Sequence, residues 1–261
     1  MKNIVIVGAT GAVGEEMIRC LEELDFPVGK LRLTASARSA GKVVQTPFGE
    51  VTVEEISEEV FAESDIALFS AGGDISKEWR DRVVANDCLM IDNSSAFRYE
   101  DDVPLVVPEI NPEAAHNHKG VISNPNCTTA IAAVALWPLH QKYGLKKVLI
   151  STYQATSGAG AKGMAELLEQ TKVVFEGGEP KPEMFAHPIA FNIIPHIDVF
   201  LDNDYTKEEM KMNWETKKIM HTDAEVGATC VRIPVARAHS EAIWVETEKP
   251  LSVEEVKTAF E

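Results

Sequence analysis

The sequence has few basic residues, no paired cysteines and no long apolar run, and each absence narrows the possible functions. It contains 25 lysine and arginine residues against 41 aspartate and glutamate residues, which gives a formal net charge of −16. Because such an acidic surface repels nucleic acid, we expect no nucleic-acid partner. An anionic substrate or cofactor would instead need the few cations of the chain to be gathered at one site.

The four cysteines are scattered along the chain, and none lies in a Cys-x-x-Cys pair. This spacing suggests neither a zinc site nor a disulfide framework, so we expect no bound metal and a reducing compartment. No apolar run approaches the roughly 20 residues that span a bilayer, and the amino terminus lacks the pattern of a secretory signal. We therefore expect a cytoplasmic protein without a membrane partner.

The pattern of the 261 residues predicts an α/β fold with two domains. From residues 3–7 to residues 121–123, short apolar strands alternate with helical patterns, which is typical of a parallel sheet covered by helices on both faces. The pattern then changes to long helices with a few strands. We expect a Rossmann-type nucleotide-binding domain over residues 1–126 and an α+β catalytic and dimerisation domain over residues 127–261.

The stretch GATGAVG, residues 8–14, joins the first predicted strand to the first predicted helix. Glycines let the backbone turn sharply and approach a pyrophosphate, and the helix N-terminus offers unpaired N–H groups to the phosphates. The Gly-x-x-Gly-x-x-Gly spacing is a variant of the usual fingerprint, and a tight turn without a ligand is the alternative. We assign to dinucleotide binding the residues Gly8, Thr10, Gly11, Ala12, Val13 and Gly14.

The loop TASARSAGK, residues 34–42, indicates which dinucleotide would bind. Enzymes that use NAD usually place Asp or Glu at this point, to bond the ribose 2′-hydroxyl, but this loop has no acid. Arg38 offers a planar cation, and Ser36 and Ser39 offer hydroxyl groups, a set that suits a 2′-phosphate. Although an ordinary exposed arginine is the alternative, the missing carboxylate favours NADP over NAD.

The stretch SNPNCTT, residues 123–129, ends a strand and opens an apolar helix. Cys127 therefore lies at or next to a helix N-terminus, where the helix dipole stabilises the reactive thiolate. Asn126 can cap this helix or donate to a bound oxyanion. His239 is the candidate proton partner, although a turn histidine bonded to backbone is the simpler explanation from spacing alone. The remaining thiols are expected to be packed small side chains: Cys20, Cys88 and Cys230.

In one order along the whole chain, seven motifs resemble those of the aspartate-semialdehyde dehydrogenases: GATGAVG, ASARSAGK, DNSSAFR, SNPNCTT, STYQATSGAGAKG, EEMK and CVRIPVARAHSE. The related N-acetyl-γ-glutamyl-phosphate reductases typically read NPGCY around the cysteine, so Asn126 and Thr128 favour the aspartate enzyme. Members of the family usually continue for several tens of residues past Glu261, so we expect the second domain to be incomplete. A catalytically inactive fragment is the other alternative.

The resemblance implies a set of three catalytic residues. Cys127 would attack the aldehyde of L-aspartate 4-semialdehyde, Gln154 would position the substrate, and His239 would be the general acid and base. The implied reaction is the reversible, NADPH-dependent reductive dephosphorylation of L-aspartyl 4-phosphate, through a thiohemiacetal and a thioester. It serves the synthesis of lysine, threonine, methionine, isoleucine and diaminopimelate.

The resemblance also implies binding residues and a homodimer formed through the second domain. Arg232 would bind the substrate α-carboxylate and Glu208 the α-ammonium, although Glu208 and Lys211 could equally form an exposed ion pair on a helix. Four residues would bind inorganic or acyl phosphate: Lys211, Arg98, Ser95 and Asn126. Three others would lie beside the nicotinamide and substrate: Ser157, Gly158 and Gly160.

Overall fold

The computed structural model describes residues 1–261, which form two compact units. The first unit comprises Met1–Val106 and Pro112–Pro125, and the second comprises Val107–Asn111 and Asn126–Glu261. None of the helices has both the length and the apolar character that a bilayer crossing requires.

The first unit is built on a seven-stranded sheet. Its elements are β1 (Lys2–Val7), α1 (Ala12–Glu23), β2 (Val28–Ala35), β3 (Val43–Thr46), β4 (Gly49–Glu55), α2 (Glu58–Ala62), β5 (Ile66–Phe69), α3 (Gly73–Ala85), β6 (Leu89–Asp92), a 3₁₀ turn (Pro112–Asn117) and β7 (Val121–Ser123). The strand order is β3-β4-β2-β1-β5-β6-β7, and every pairing is parallel except the β3–β4 hairpin. The predicted parallel α/β architecture is therefore confirmed.

Strand β1 is buried on both faces, which fixes the place where the glycine turn begins. Ile6 packs in an apolar cluster with Ile18 of α1, whereas Val7 packs in a second cluster with Val83 of α3. Burying an aliphatic side chain of this size contributes about 1.5–3 kcal/mol relative to leaving it exposed. Because successive side chains of a strand point to opposite faces, both clusters hold the same short segment in place.

The second unit contains a three-stranded sheet and four α-helices. Its elements are α4 (Cys127–Tyr143), β8 (Leu145–Gln154), a 3₁₀ turn (Thr156–Ala159), α5 (Gly160–Phe175), α6 (Lys207–Met220), β9 (Glu225–Arg232), β10 (Ser240–Thr247) and α7 (Val253–Phe260). The sheet order is β10-β8-β9, with β10 antiparallel and β9 parallel to β8.

Strand β9 begins at Glu225 and ends at Arg232. Pro234 has no N–H to offer to a sheet, so the strand ends before it. Residues 233–239 form instead an irregular connection that leads to His239. Arg232 consequently lies at the carboxyl end of this strand.

Strand β8 separates the interior of the second unit from an exposed face. From Val148 onward its even-numbered side chains, such as Thr152 and Gln154, are buried, whereas Leu149 and Tyr153 on the opposite face are exposed. Helix α4 packs against β8 and β10, and α6 packs against β9 and α4. The buried face of the sheet is therefore the one that these two helices cover.

Helix α6 begins with a complete capping box, as the sequence Thr-x-x-Glu predicts. The hydroxyl of Thr206 accepts the backbone N–H of Glu209 at 3.3 Å, and the Glu209 carboxylate accepts the backbone N–H of Thr206 at 2.8 Å. Since Thr206 is buried, water cannot replace these bonds.

Replacing Thr206 by alanine should lower the free energy of unfolding by about 1 kcal/mol, because the cap of α6 loses its acceptor. Urea titration followed by circular dichroism measures this change. Thr206→Ser keeps the hydroxyl and serves as the control, since it should retain most of the stability. Equal stability of the alanine variant and the unchanged protein would show that the capping box contributes nothing.

Candidate active site

The glycine turn after β1 lies against neighbouring backbone in the first unit. Gly8 has a φ of +88°, and a Cβ added there would lie 2.7 Å from the carbonyl oxygen of Ser70. A Cβ at Gly14 would lie 2.5 Å from the carbonyl oxygen of Gly8. Gly11 is the N-cap of α1 and supplies no capping side chain, so the first N–H groups of this helix can bind an anion.

The loop after β2 lies beside this turn. The carbonyl oxygen of Thr34 accepts the N–H groups of Gly8 and Ala9 at 2.9 and 3.0 Å, and the hydroxyl of Thr10 is 3.4 Å from that of Ser39. The first unit therefore brings together the glycine turn and the loop that carries Ser36, Arg38 and Ser39. Arg38 is exposed in this loop.

The turn after β6 contains Ser95 and Arg98, both in the first unit. Asp92 at the end of β6 is fully buried and accepts the hydroxyl of Ser94 at 2.6 Å. Arg98 is 6% exposed and donates to the carbonyl oxygen of Asn93 at 3.0 Å. Arg98 is therefore built into the turn rather than being one more surface charge.

In the second unit, the buried carboxylate of Glu208 collects three hydrogen bonds. Asn126 and Gln154 each donate from the side-chain amide to Oε1 at 3.0 Å, and Lys211 donates to Oε2 at 2.9 Å. Burial acts to raise the pKa of Glu208, but the charge of Lys211 and these hydrogen bonds outweigh it, so the pKa is lowered. The ion pair of Glu208 and Lys211 is thus buried, not an exposed pair on a helix.

Lys211 has a second carboxylate partner, Asp198, which sequence reasoning missed. The ammonium lies 2.8 Å from Asp198 Oδ2. Burial acts to lower the pKa of Lys211, but the two carboxylates more than offset it and raise the pKa. Two of the three ammonium N–H groups are used by these partners, which leaves one for a ligand. Asp198 stands in an irregular stretch without a motif, so no sequence signal pointed to it.

Asn126 caps α4 and thereby places Cys127 as the first residue of that helix. Asn126 Oδ1 accepts the backbone N–H groups of Thr128 and Thr129 at 3.0 and 3.4 Å, and the backbone N–H of Asn126 donates to Glu215 at 2.6 Å. The cap predicted at Asn126 is confirmed. Because the positive end of the helix dipole lies at Cys127, a thiolate is favoured there.

The four cysteines fall into two groups. Burial, the largest cause in each case, raises the pKa of the Cys88 and Cys230 thiols to about 12, which makes them unreactive at neutral pH. Cys20 is exposed rather than packed as expected, and Cys127 is exposed as well. Of the two accessible thiols, Cys127 is the one at a helix N-terminus.

Arg232 lies buried at the end of β9 with donor capacity to spare. Its Nη1 donates to the carbonyl oxygen of Ala155 at 2.7 Å, whereas its buried Nε has no hydrogen-bond partner. Burial lowers the pKa of Arg232, against the opposing charges of Glu208 and Cys127. Cys127 is therefore within electrostatic reach of a guanidinium whose unused N–H suits the carboxylate of a ligand.

His239 and Arg232 both form hydrogen bonds with the backbone of Ala155. The N–H of Ala155 donates to His239 Nδ1 at 3.0 Å, so the neutral ring carries its proton on Nε2. Burial, and then the charge of Arg232, lowers the pKa of His239. A Cβ at Gly158 would lie 2.8 Å from Arg232 Nη1 and 3.3 Å from His239 Nε2, so any larger residue would displace the guanidinium.

The expected site residues are thus divided between the two units. The second unit brings together Asn126, Gln154, Gly158, Glu208, Lys211, Arg232 and His239, with Cys127 in reach of Arg232. Ser157 and Gly160 belong to the 3₁₀ turn and its end, where Gly160 has a φ of +74°. The first unit holds Arg98, Ser95 and the residues of the two dinucleotide loops.

Two family models match the chain. One is the semialdehyde dehydrogenase NAD binding domain, over residues 3–118, and the other is the semialdehyde dehydrogenase dimerisation domain, over residues 136–261. These matches confirm the predicted order of a nucleotide-binding domain followed by a dimerisation domain.

Relatives named aspartate-semialdehyde dehydrogenase match nearly the whole chain. The Aquifex aeolicus protein is 54% identical over 260 residues, covering 98% of this chain and 76% of the relative. The Bacillus subtilis protein is 47% identical over 264 residues, covering 98% and 76%. The chain therefore spans about three quarters of the length of these relatives.

Solved structures named aspartate semialdehyde dehydrogenase also resemble this chain. The crystal structure of aspartate semialdehyde dehydrogenase II complexed with ASA, from Vibrio cholerae, has a TM-score of 0.97 and 45% identity, covering 99% of this chain and 78% of that one. The Candida albicans enzyme with NADP has a TM-score of 0.74 and 27% identity, covering 99% and 75%.

Replacing Arg232 by methionine should slow the alkylation of Cys127 by iodoacetamide at pH 7 by about tenfold, because a neighbouring cation favours the thiolate. The rate is measured by mass spectrometry in a Cys20→Ser background, so that Cys127 is the accessible thiol. Arg38→Met is the matched control, since it removes a guanidinium from the first unit and should leave the rate unchanged. An unchanged rate in Arg232→Met would exclude this electrostatic role.

Proposed function

This chain belongs to the aspartate-semialdehyde dehydrogenase family, and we propose that it reacts through Cys127 with NADP as its nicotinamide cofactor. The reaction is the reductive dephosphorylation of L-aspartyl 4-phosphate to L-aspartate 4-semialdehyde, and its reverse. The observation that carries the proposal is the helix start at Cys127, capped by Asn126 and in reach of Arg232.

The proposed substrate contacts follow from unused donors and acceptors. The buried guanidinium of Arg232 has N–H groups left for the α-carboxylate. Glu208 Oε2 accepts from Lys211 and has a lone pair left for the α-ammonium. Opposite charges thus meet both charged groups on the α-carbon of the substrate. The residues proposed for phosphate are Lys211, Arg98, Ser95 and Asn126.

Cys127 carries the covalent chemistry in this proposal. Its thiolate forms a bond to the aldehyde carbon, and the carbonyl oxygen takes the negative charge, which gives the thiohemiacetal as its oxyanion. When bound, the nicotinamide supplies the acceptor for the hydride that leaves this carbon. The thioester that results is attacked by phosphate, which breaks the carbon–sulfur bond and returns the thiolate. Gln154 is proposed to hold the substrate in place for these steps.

His239 is the proposed hydrogen-bond donor to the tetrahedral oxygen. The Ala155 N–H occupies Nδ1, so the proton of the neutral ring sits on Nε2, the nitrogen next to Gly158. The lowered pKa of His239 keeps the ring neutral at physiological pH. Accepting a proton as a general base would require Nδ1 to release the Ala155 N–H, so a hydrogen bond from Nε2–H to the oxygen is its easier role.

NADP fits the first unit in three respects. The turn at Gly8 and Gly14 brings bare backbone to the N-terminus of α1, which suits a pyrophosphate. No acidic residue follows β2 until Glu50. Arg38 and Ser39 stand beside that turn, where a 2′-phosphate would need a cation and a hydroxyl. The Ser157–Gly160 segment is proposed to lie beside the nicotinamide.

A homodimer is the proposed assembly, through the exposed face of the second-unit sheet. Leu149 and Trp244, which are paired across β8 and β10, are 51% and 53% exposed, and Tyr153 on the same face is 42% exposed. Large apolar side chains gathered on one open face mark an interaction surface. The dimerisation-domain match covers all three strands.

Replacing Cys127 by serine should abolish phosphate-dependent reduction of NADP⁺ by aspartate semialdehyde, lowering kcat by at least about 10⁴-fold, since an alcohol at this site is not ionised. The absorbance of NADPH measures the rate. Cys20→Ser is the matched control and should keep full activity. Turnover by Cys127→Ser, or turnover of N-acetyl-γ-glutamyl phosphate in place of the aspartyl compound, would overturn the proposal.

Replacing Arg38 by alanine should raise the KM for NADP⁺ by about 10- to 100-fold, the effect of losing a hydrogen bond to a charged group. The KM for NAD⁺ should stay the same, because NAD⁺ lacks the 2′-phosphate. Steady-state kinetics with both dinucleotides measures the ratio. Equal changes for the two cofactors would show that Arg38 does not recognise the 2′-phosphate.

A further inference from the structure

A carboxyl group that the reaction above does not use lies on the covered side of the second-unit sheet. Glu241 follows His239 by two residues, on β10, and both of its carboxyl oxygens are shielded from solvent without a hydrogen-bond partner. Burial raises the pKa of this carboxyl to about 7. Because a buried polar group without a partner is costly, its position calls for an explanation.

Thr152 connects Glu241 to the site. The register of the sheet places Glu241 directly opposite Thr152 on β8, where Cβ atoms are about 4.5–5.5 Å apart. The fully buried Thr152 hydroxyl donates to Gln154 Oε1 at 2.9 Å, and Gln154 Nε2 donates to Glu208 at 3.0 Å. The hydroxyl also contacts the Cys230 thiol on β9. It can turn about its own bond between two oxygen acceptors, the Gln154 amide and the Glu241 carboxyl.

We propose that Glu241 is a positioning residue that controls the Gln154 amide through the hydroxyl of Thr152. While the carboxyl of Glu241 is protonated, Thr152 stays bonded to Gln154. Once ionised, the carboxylate draws the hydroxyl to itself, because a hydrogen bond to a charged acceptor is roughly twice as strong as one to a neutral acceptor. Gln154 then loses the bond that orients its amide. The inference rests on the proposed substrate-positioning role of Gln154.

Other charges surround this row of side chains. Opposite Thr152 on β9 lies Cys230, and burial is the largest cause that raises its pKa. A hydrogen bond with Thr152 acts to lower this pKa, and the charges of Glu208, Glu209 and Glu241 raise it further. An ionised Glu241 would thus be a third negative charge close to Cys230, in addition to Glu208 and Glu209 of α6. The titratable groups on the packed elements include Cys127 and His140 of α4, Glu208, Glu209, Lys211 and Glu215 of α6, Cys230 and Arg232 of β9, and His239 before β10.

Side-chain amide spectra test the inference directly, without substrate. The sequence has four glutamines, at positions 45, 141, 154 and 170, so ¹⁵N-glutamine labelling gives few signals, and Gln154→Glu identifies that of Gln154. In the unchanged protein the Gln154 signals should shift between pH 6 and 8, and in Glu241→Gln they should not. Static Gln154 signals, or the same shift in both proteins, would overturn the inference.

Steady-state kinetics provide a second test of the role of Glu241. The KM for aspartate semialdehyde should rise several-fold from pH 6 to 8 in the unchanged protein and stay level in Glu241→Gln, with similar kcat values. Thr152→Val should remove the difference between the two, and Thr152→Ser should restore it. Identical KM profiles would count against the inference. If neither protein converts the semialdehyde, the proposed function fails, and the amide titration still decides the role of Glu241.

Discussion

One buried negative charge, the carboxylate of Glu208, holds together the site of the second unit. It bonds the cap of α4 through Asn126, the end of β8 through Gln154, and its own helix through Lys211. A buried charge of this kind is tolerated only with such partners, and removing one partner of a buried pair typically costs about 3–5 kcal/mol. Since Asn126 both caps α4 and bonds Glu208, the position of Cys127 depends on the same carboxylate.

Local signals in the sequence were sufficient for the parts of the site that depend on backbone geometry. The cap at Asn126 could be predicted because a capping residue acts within three positions of itself. The burial of Glu208 and Lys211 could not be predicted from their spacing, which is the same on an exposed helix face. Only the apolar residues Met212 and Ile219, buried on the same stripe of α6, indicate that this face is covered.

Contacts between distant segments account for most of what the sequence did not reveal. Asp198 reaches Lys211 from an irregular stretch, and no periodicity relates the two. Glu241 could be placed on the same sheet face as Thr152 only once the register of β10 on β8 was known, because a slip of one residue reverses every side chain. The sequence pattern predicts which side chains of one strand share a face. Which side chains of neighbouring strands lie side by side depends on how the strands pair.

Strand β8 contributes to both the active site and the proposed dimer surface of the second unit, because its side chains alternate between two faces. Gln154 and Thr152 point into the site, and Tyr153 between them points to the exposed face that is proposed to form the dimer. Because the period of a strand is two, neither set can shift without moving the other. A partner that packs on Tyr153 and Leu149 would therefore restrain the backbone that carries Gln154. The arrangement of the active-site side chains and the proposed assembly of the protein then depend on one physical cause, the register of the central strand β8.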